Sequence, residues 1–284
     1  MSKVLEVNNL RVDIPTEQGT VHAVKGISFS LNQGETLCLV GESGSGKSMT
    51  ALSIVGLQTP RARVTAERLE LLGKPLNSLS QRQLNQLRGK DVAIIFQDPM
   101  TALNPTLTIE RQMTEGVMRH EGVRRQDART RAIDLLNKVG IPQATERLYQ
   151  YPHQFSGGQR QRIMIAMALM GKPSLLIADE PTTALDVTIQ AQILDLIRTL
   201  ATELDFALLM ITHDFGVVAA MADRVSVMYG GKIVESGPAC EVLKSPQHPY
   251  TQGLIACIPV PGRTTPGSRL PVIDHEKLAV KELS

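Results

Sequence analysis

Apolar residues cluster at residues 36–40, 92–96, 174–178 and 207–211, and each cluster runs into polar residues. Short continuous apolar runs bounded in this way predict strands buried on both faces. Between two of them, Ala128, Ala132, Leu135, Leu136 and Val139 recur at helical spacing, and Gly140 with Pro142 ends that helix. Strands alternating with helices predict an α/β fold with a mainly parallel sheet. Residues 98–170 contain no buried-strand run and read as a helical insert between two core strands. Residues 225–229 and 232–235 flank Gly230-Gly231, a strong hairpin signal. From Pro238 onward the pattern changes, because seven of the 16 prolines fall within these 47 residues. That predicts an extended tail over 241–284, packed at first and looser toward Ser284.

Composition narrows this picture. The 284 residues suffice for one large domain or two modest ones, at about 150 residues per domain. With 42% hydrophobic and 20% charged residues the chain is globular rather than disordered. A net charge of +2 argues against a general nucleic-acid binder, so Arg124-Arg125 and the pair Arg160 and Arg162 read as a solvated face. The longest apolar run, residues 163–170, has 8 residues, against about 18 needed to cross a bilayer. The opening Met1-Ser2-Lys3-Val4-Leu5-Glu6 lacks a signal-peptide pattern. Cys38, Cys240 and Cys257 show no metal-binding spacing and fit a reducing compartment. The cytoplasm is the expected location, with any membrane role exercised through a partner chain.

Three motifs carry chemistry. Gly41-Glu42-Ser43-Gly44-Ser45-Gly46-Lys47-Ser48, followed by Met49, matches the phosphate-loop pattern in full, between a predicted strand and an apolar helix. Its glycines let backbone N–H groups and a helix N-terminus face a phosphate chain. Lys47 would reach the β- and γ-phosphates, and the Ser48 hydroxyl would ligate Mg²⁺. The second motif is a buried strand ending in Asp179-Glu180. Asp179 would hold the metal and Glu180 would polarise an attacking water. The third, Phe155-Ser156-Gly157-Gly158-Gln159, reads as a helix cap and, functionally, as a second anion-binding helix terminus.

Together with Gln97, Ala184-Leu185-Asp186 and His213, these motifs stand in the order found in ATP-binding-cassette (ABC) ATPases, which the chain resembles over about residues 4–240. The stretch from Ala178 to Gln192, and His248-Pro249-Tyr250-Thr251 in the tail, resemble the peptide/nickel importer branch. The resemblance implies a phosphate-loop NTPase core over residues 1–240. It also implies an N-terminal antiparallel β part and a helical subdomain at about 98–170. Two such subunits would enclose two ATP molecules head to tail. Residues 41–49 would bind ATP in their own chain, while Ser156, Gly158 and Gln159 would complete the partner's site. Asp186 would tie one site to the other. Gln97 would sense Mg²⁺ and water, and His213 would support Glu180. The implied partners are two membrane-spanning permease subunits, a second ATPase subunit (identical or related) and an extracytoplasmic solute-binding protein; Leu103, Asn104 and Pro105, just beyond Gln97, would lie where a cytoplasmic helix of the membrane subunit docks. The implied location is peripheral, on the cytoplasmic face of the inner or plasma membrane. Di- or oligopeptides are the expected solute, with nickel and glutathione as alternatives. A soluble ABC protein acting on ribosomes or DNA is less favoured, since those typically carry two cassettes or a long coiled-coil insert.

Two departures from the family pattern stand out. No aromatic residue precedes Phe29, so adenine stacking is unassigned among Gln18, Val21 and His22. Many peptide-branch relatives carry a cysteine-rich tail, but only Cys240 and Cys257 lie in this one. Iron–sulfur clusters need about four cysteine ligands, so none is expected.

Overall fold

The computed structural model describes residues 2–98, 102–183 and 185–257. Met100, Ala184 and the tail beyond Cys257 lie outside the described residues. The chain opens with two long strands, β1 (Lys3–Thr16) and β2 (Gly19–Asn32), followed by β3 (Thr36–Val40) and helix α1 (Lys47–Ile54). Three short strands come next, β4 (Arg63–Thr65), β5 (Arg68–Leu71) and β6 (Lys74–Pro75), then α2 (Gln81–Leu87) and β7 (Val92–Ile95). A helical section holds α3 (Ile109–Glu121), α4 (Arg125–Lys138), α5 (Ala144–Arg147) and α6 (Gly157–Leu169). The core resumes with β8 (Leu175–Asp179), α7 (Val187–Leu204), β9 (Ala207–Thr212), α8 (Phe215–Met221), β10 (Arg224–Tyr229) and β11 (Lys232–Pro238). Two further helices, α9 (Ala239–Lys244) and α10 (Pro249–Ala256), end the described chain.

All four apolar runs enter one six-stranded sheet, ordered β11-β10-β3-β9-β8-β7. Every pairing is parallel except the β10–β11 hairpin. The runs are continuously apolar because both faces of the sheet are covered. Leu37, Leu39, Leu175, Ile177, Leu209 and Ile211 enter one core cluster with β1, β2 and α1. The intervening Cys38, Val40, Leu176, Ala178, Leu208 and Met210 enter a second, built with the helices. The two-residue period of a strand thus divides one apolar run between two cores. Gly230 and Gly231, with φ of 54° and 86°, close the predicted hairpin in the left-handed region that such turns require.

The N-terminal part is a five-stranded antiparallel sheet in the order β2-β1-β5-β6, with β4 also on β1. In β1 the buried set shifts phase, from Leu5 and Val7 to Leu10 and Val12. A register shift between Val7 and Leu10, with Asn9 at φ 49°, absorbs the extra residue and keeps all four side chains inward. That slip hides the strand from a strict alternation test.

In the helical section, Thr108 caps α3 by accepting the Arg111 N–H, and Gly122 ends it in the left-handed region. Ala128, Ala132, Leu135 and Leu136 of α4 are buried, as their spacing predicts. The tail joins the same core through Ala239, Val242 and Tyr250, and residue 240 falls inside α9.

Gly171, after α6, packs so closely that an added Cβ would lie 1.7 Å from the Gly89 carbonyl oxygen. Backbone cannot swing aside as a side chain can. Gly171→Ala is expected to cost about 3 kcal/mol, lowering the melting midpoint by roughly 6–10 °C. Gly116→Ala, in α3 with open space around it, is expected to stabilise by about 1 kcal/mol. Calorimetry on both variants checks the contrast, and an equal response would refute it.

Candidate functional site

Strand β3 delivers the chain into the Gly41–Ser48 loop, and α1 begins at Lys47. Two glycines are fixed by the surrounding backbone. A Cβ on Gly46, whose φ is 103°, would lie 2.4 Å from the Ala23 carbonyl oxygen. A Cβ on Gly41 would lie 2.2 Å from that of Met228. The loop is therefore clamped between β2 and β10, and only glycine fits. Helix α1 carries no acidic residue of its own in its first turn, and the positive end of its dipole faces the loop.

Lys47 is buried, and its Nζ donates to the carbonyl oxygens of Gly41 (2.7 Å) and Glu42 (2.8 Å) and to Ser45 Oγ (3.4 Å). Burial pulls its pKa below the ordinary lysine value, against the opposing pull of Glu180, Asp179 and Glu42. The Ser48 hydroxyl donates to Asp179 Oδ1 at 3.1 Å. Burial pushes the Asp179 carboxyl up, while that hydroxyl and Lys47 hold it down. A hydroxyl and a carboxylate side by side are hard oxygen donors of the kind Mg²⁺ takes, with water and phosphate oxygens completing its shell. Among the described residues no cluster of three His, Cys, Asp or Glu side chains forms a site for a softer metal.

Glu180 is the point where three strand ends meet. It follows β8 with a left-handed φ of 48°, and its N–H donates to the Ile211 carbonyl of β9. Its Oε2 accepts from Gln97 Nε2 (3.0 Å) and Thr183 Oγ1 (2.9 Å). His213 Nδ1 lies 3.2 Å from Oε1. The Glu180 side chain is only 15% exposed while His213 is 56% exposed, so the carboxylate is recessed beneath the imidazole. A backbone strain of this kind persists only where surroundings over-determine it, as at sites of function.

Gly41, Glu42, Ser43, Gly44, Gly46, Lys47, Ser48, Met49, Gln97, Glu180 and His213 all line one cavity of about 620 Å³. Ser45 is buried inside the loop, where its N–H donates to the Glu42 carbonyl. The third motif lies elsewhere in the chain. Ser156 and Gln159 form a reciprocal cap on α6, with Gln159 N–H donating to Ser156 Oγ and Ser156 N–H to Gln159 Oε1. A Cβ on Gly158 would meet Ile189 Cγ2 at 3.1 Å. Asp186 caps α7 by accepting the Ile189 N–H. None of these four lines the cavity. Gln18, Val21 and His22 do not line it either, and His22 Nδ1 instead lies 2.6 Å from Asp13 Oδ1.

Two lining residues escaped the sequence reading, Ala23 and Leu254. Neither carries chemistry, and they lie 231 positions apart, so only tertiary contact could reveal them.

Comparison with known proteins agrees with this geometry. The family profile "ABC transporter" matches residues 24–183, more than half of the chain. The chain belongs to the ABC transporter family. A second profile, "Oligopeptide/dipeptide transporter, C-terminal region", matches residues 234–284 of this ABC ATPase. It is 55% identical to the dipeptide transport ATP-binding protein DppD of Bacillus subtilis over 260 residues, covering 91% of this chain and 78% of that one. It is 51% identical to the oligopeptide transport ATP-binding protein OppD of the same organism, covering 91% and 73%. Among solved structures it is similar to a dimeric bacterial ABC transporter cassette, with a TM-score of 0.73 and 25% identity over 83% of this chain and 98% of that chain. It is likewise similar to cbiO1 of Clostridium perfringens, part of the ABC transporter complex cbiONQ, with a TM-score of 0.72 and 27% identity over 89% and 96%. The α/β fold, ATP binding and transport-coupled ATP hydrolysis follow from this membership. No described helix is long and apolar enough to cross a membrane.

An ABC ATPase whose loop is clamped this tightly should bind nucleotide only with Gly46 intact. Saturation with ATP at about 100 times Kd stabilises a protein by about 2.7 kcal/mol. The wild-type chain is expected to show that gain in thermal melts, and Gly46→Ala to show none. An equal ATP-induced shift in both would refute the role of the clamp.

Proposed function

We propose that this ABC ATPase powers the import of di- or oligopeptides from the cytoplasmic face of a membrane. We further propose that it acts as one of two paired ATPase subunits with two permease subunits and an external solute-binding protein. The match of residues 234–284 to the oligopeptide/dipeptide C-terminal region, and the peptide-transport names of the relatives, support the solute class. Residues 1–240 would serve as the nucleotide-binding unit, with about 98–170 as its helical subdomain and 241–284 as its tail.

One observation carries the catalytic reading: Gln97 and His213 hold the two oxygens of the Glu180 carboxylate beside the loop of Lys47 and Ser48. Lys47 presents its ammonium to the β/γ-phosphate oxygens, and the glycine-rich backbone cradles the chain of phosphates. Glu180 accepts the proton of the attacking water, while Gln97 and His213 keep its carboxylate in place. Ser48 and Asp179 would hold Mg²⁺, which when bound neutralises charge on the phosphate oxygens.

Ser156, Gly158, Gln159 and Asp186 stay outside their own chain's cavity. That supports their assignment to the site of a facing subunit. An apolar groove lined by Val55, Leu57, Ile94 and Phe96 is the surface offered to a permease subunit, with Phe96 40% exposed. Of the three residues expected to meet the membrane subunit, Asn104 and Pro105 are exposed, whereas Leu103 is 2% exposed and packs into the core.

Glu180→Gln keeps the size of the side chain and one acceptor oxygen for Gln97 and Thr183, but cannot accept a proton. Expected are ATP affinity within about twofold of wild type and turnover reduced by about 10²–10⁴-fold. Turnover at the wild-type rate would remove Glu180 from its role. Gly157 tests the shared site, because a side chain there meets open space. Gly157→Asp also suits the first turn of α6 electrostatically. It should leave ATP affinity of the single chain intact. In the assembled transporter hydrolysis should fail, as the new carboxylate faces the partner's γ-phosphate. Loss of single-chain affinity would place this segment in its own chain's site instead.

A further inference from the structure

The C-terminal helix α10 reaches the nucleotide loop through one buried phenol. Tyr250 is 0% exposed and is among the largest fully buried side chains. Its Oη accepts the backbone N–H of Glu42 at 3.1 Å, and its O–H donates to Glu42 Oε2 at 3.3 Å. Glu42 is the second residue of the loop, and the Gly41 carbonyl, in the same peptide group as the Glu42 N–H, accepts from Lys47 Nζ at 2.7 Å. A continuous chain of hydrogen bonds therefore links the tail to the cation of the site.

The placement of Tyr250 is secured from several sides. Its ring packs on Tyr229 with centroids 4.4 Å apart. Tyr229 precedes the Gly230-Gly231 turn, and the Gly231 N–H donates to the Ser45 carbonyl in the same loop. Before α10, the Glu235 carboxylate accepts the N–H groups of Gln247 (2.7 Å) and His248 (3.1 Å). His248 Nδ1 accepts the Tyr250 N–H, and Pro249 fits the first turn, where it needs no donor. One turn beyond Tyr250, Leu254 lines the nucleotide cavity. Burial also raises the phenol pKa, so the O–H stays a donor across the physiological range.

We infer that Tyr250 is a positioning residue for nucleotide binding: it fixes the Glu42 peptide, and with it the loop geometry around Lys47. The His248-Pro249-Tyr250 segment is the anchor that brings it there. This rests on residues 41–48 being the ATP loop. A residue that only fastens the tail would affect stability, whereas one that shapes the loop must affect ATP affinity.

The test uses the full chain, with calorimetric titration of ATP, and the assembled transporter for steady-state hydrolysis. Tyr250→Phe keeps the ring on Tyr229 and removes only the hydroxyl. It is expected to weaken ATP affinity, and to raise KM for ATP, by about tenfold. The expected kcat stays within about twofold and the melting midpoint within a few degrees. Glu42→Ala removes the carboxylate partner. The double variant should lose less than the product of the single losses, as contacting residues do. A lowered melting midpoint with unchanged ATP affinity would overturn the inference, and so would fully independent effects of the two substitutions. Lys47→Ala serves as reference. If it loses affinity while Tyr250→Phe does not, only the role of Tyr250 fails. If neither loses affinity, the reading of the loop fails and takes this inference with it.

Discussion

The parallel register of β3, β9, β8 and β7 is the constraint from which the site follows. Val40 pairs with Thr212, Ile211 with Asp179, and Ala178 with Ile95. Four strand ends therefore finish at one level, and the residues just beyond them are the Gly41 loop, His213, Glu180 and Gln97. Groups scattered from position 41 to 213 meet because the strands are level, as is usual for ligand sites at the carboxyl ends of open α/β sheets. A slip of one residue in any pairing would turn apolar side chains between the two cores and carry a side chain of the cavity out of reach.

Burial on both faces makes that register dear to break, and it also sets the electrostatics. Lys47 and Asp179 sit where water is largely excluded, so each has its charged form disfavoured by burial. Lys47 is held by the Gly41 and Glu42 carbonyls and by the charges of Glu180 and Asp179, and Asp179 by the Ser48 hydroxyl and the charge of Lys47. An environment of that kind is poised for a ligand bringing its own charge, because the interactions it makes there are weakly screened. The strained backbone of Glu180 fits the same account, since Ile211 and His213 at the end of β9, Gln97 beyond β7 and Thr183 in its own turn hold the residue in place.

The clamped loop shows how far the site extends beyond its motif. Gly46 is pressed on Ala23 of β2, Gly41 on Met228 of β10, and Glu42 on Tyr250 of α10. The N-terminal sheet, the β10–β11 hairpin and the C-terminal helices all bear on eight residues. Parts of the chain far from the loop in sequence thereby fix its shape.

The local pattern was enough to place the four buried strands, the Gly230-Gly231 hairpin and the α4 helix, and to single out the motif residues that line the cavity. Each depends on a few adjacent residues, so composition and spacing suffice. The β1–β2 ribbon was not legible from alternation, because the bulge at Asn9 breaks the period. Tertiary structure alone decided that Gln97 and His213 share the two oxygens of Glu180, that Ser156 and Asp186 stand apart from the cavity, and that Leu103 is buried. It also decided that Ala23 and Leu254 close the cavity and that Tyr250 grips the loop. Those facts depend on distance in space between residues far apart in the chain. A side chain's type states which bonds it can make, but only the packing of sheets and helices states which partner stands within reach.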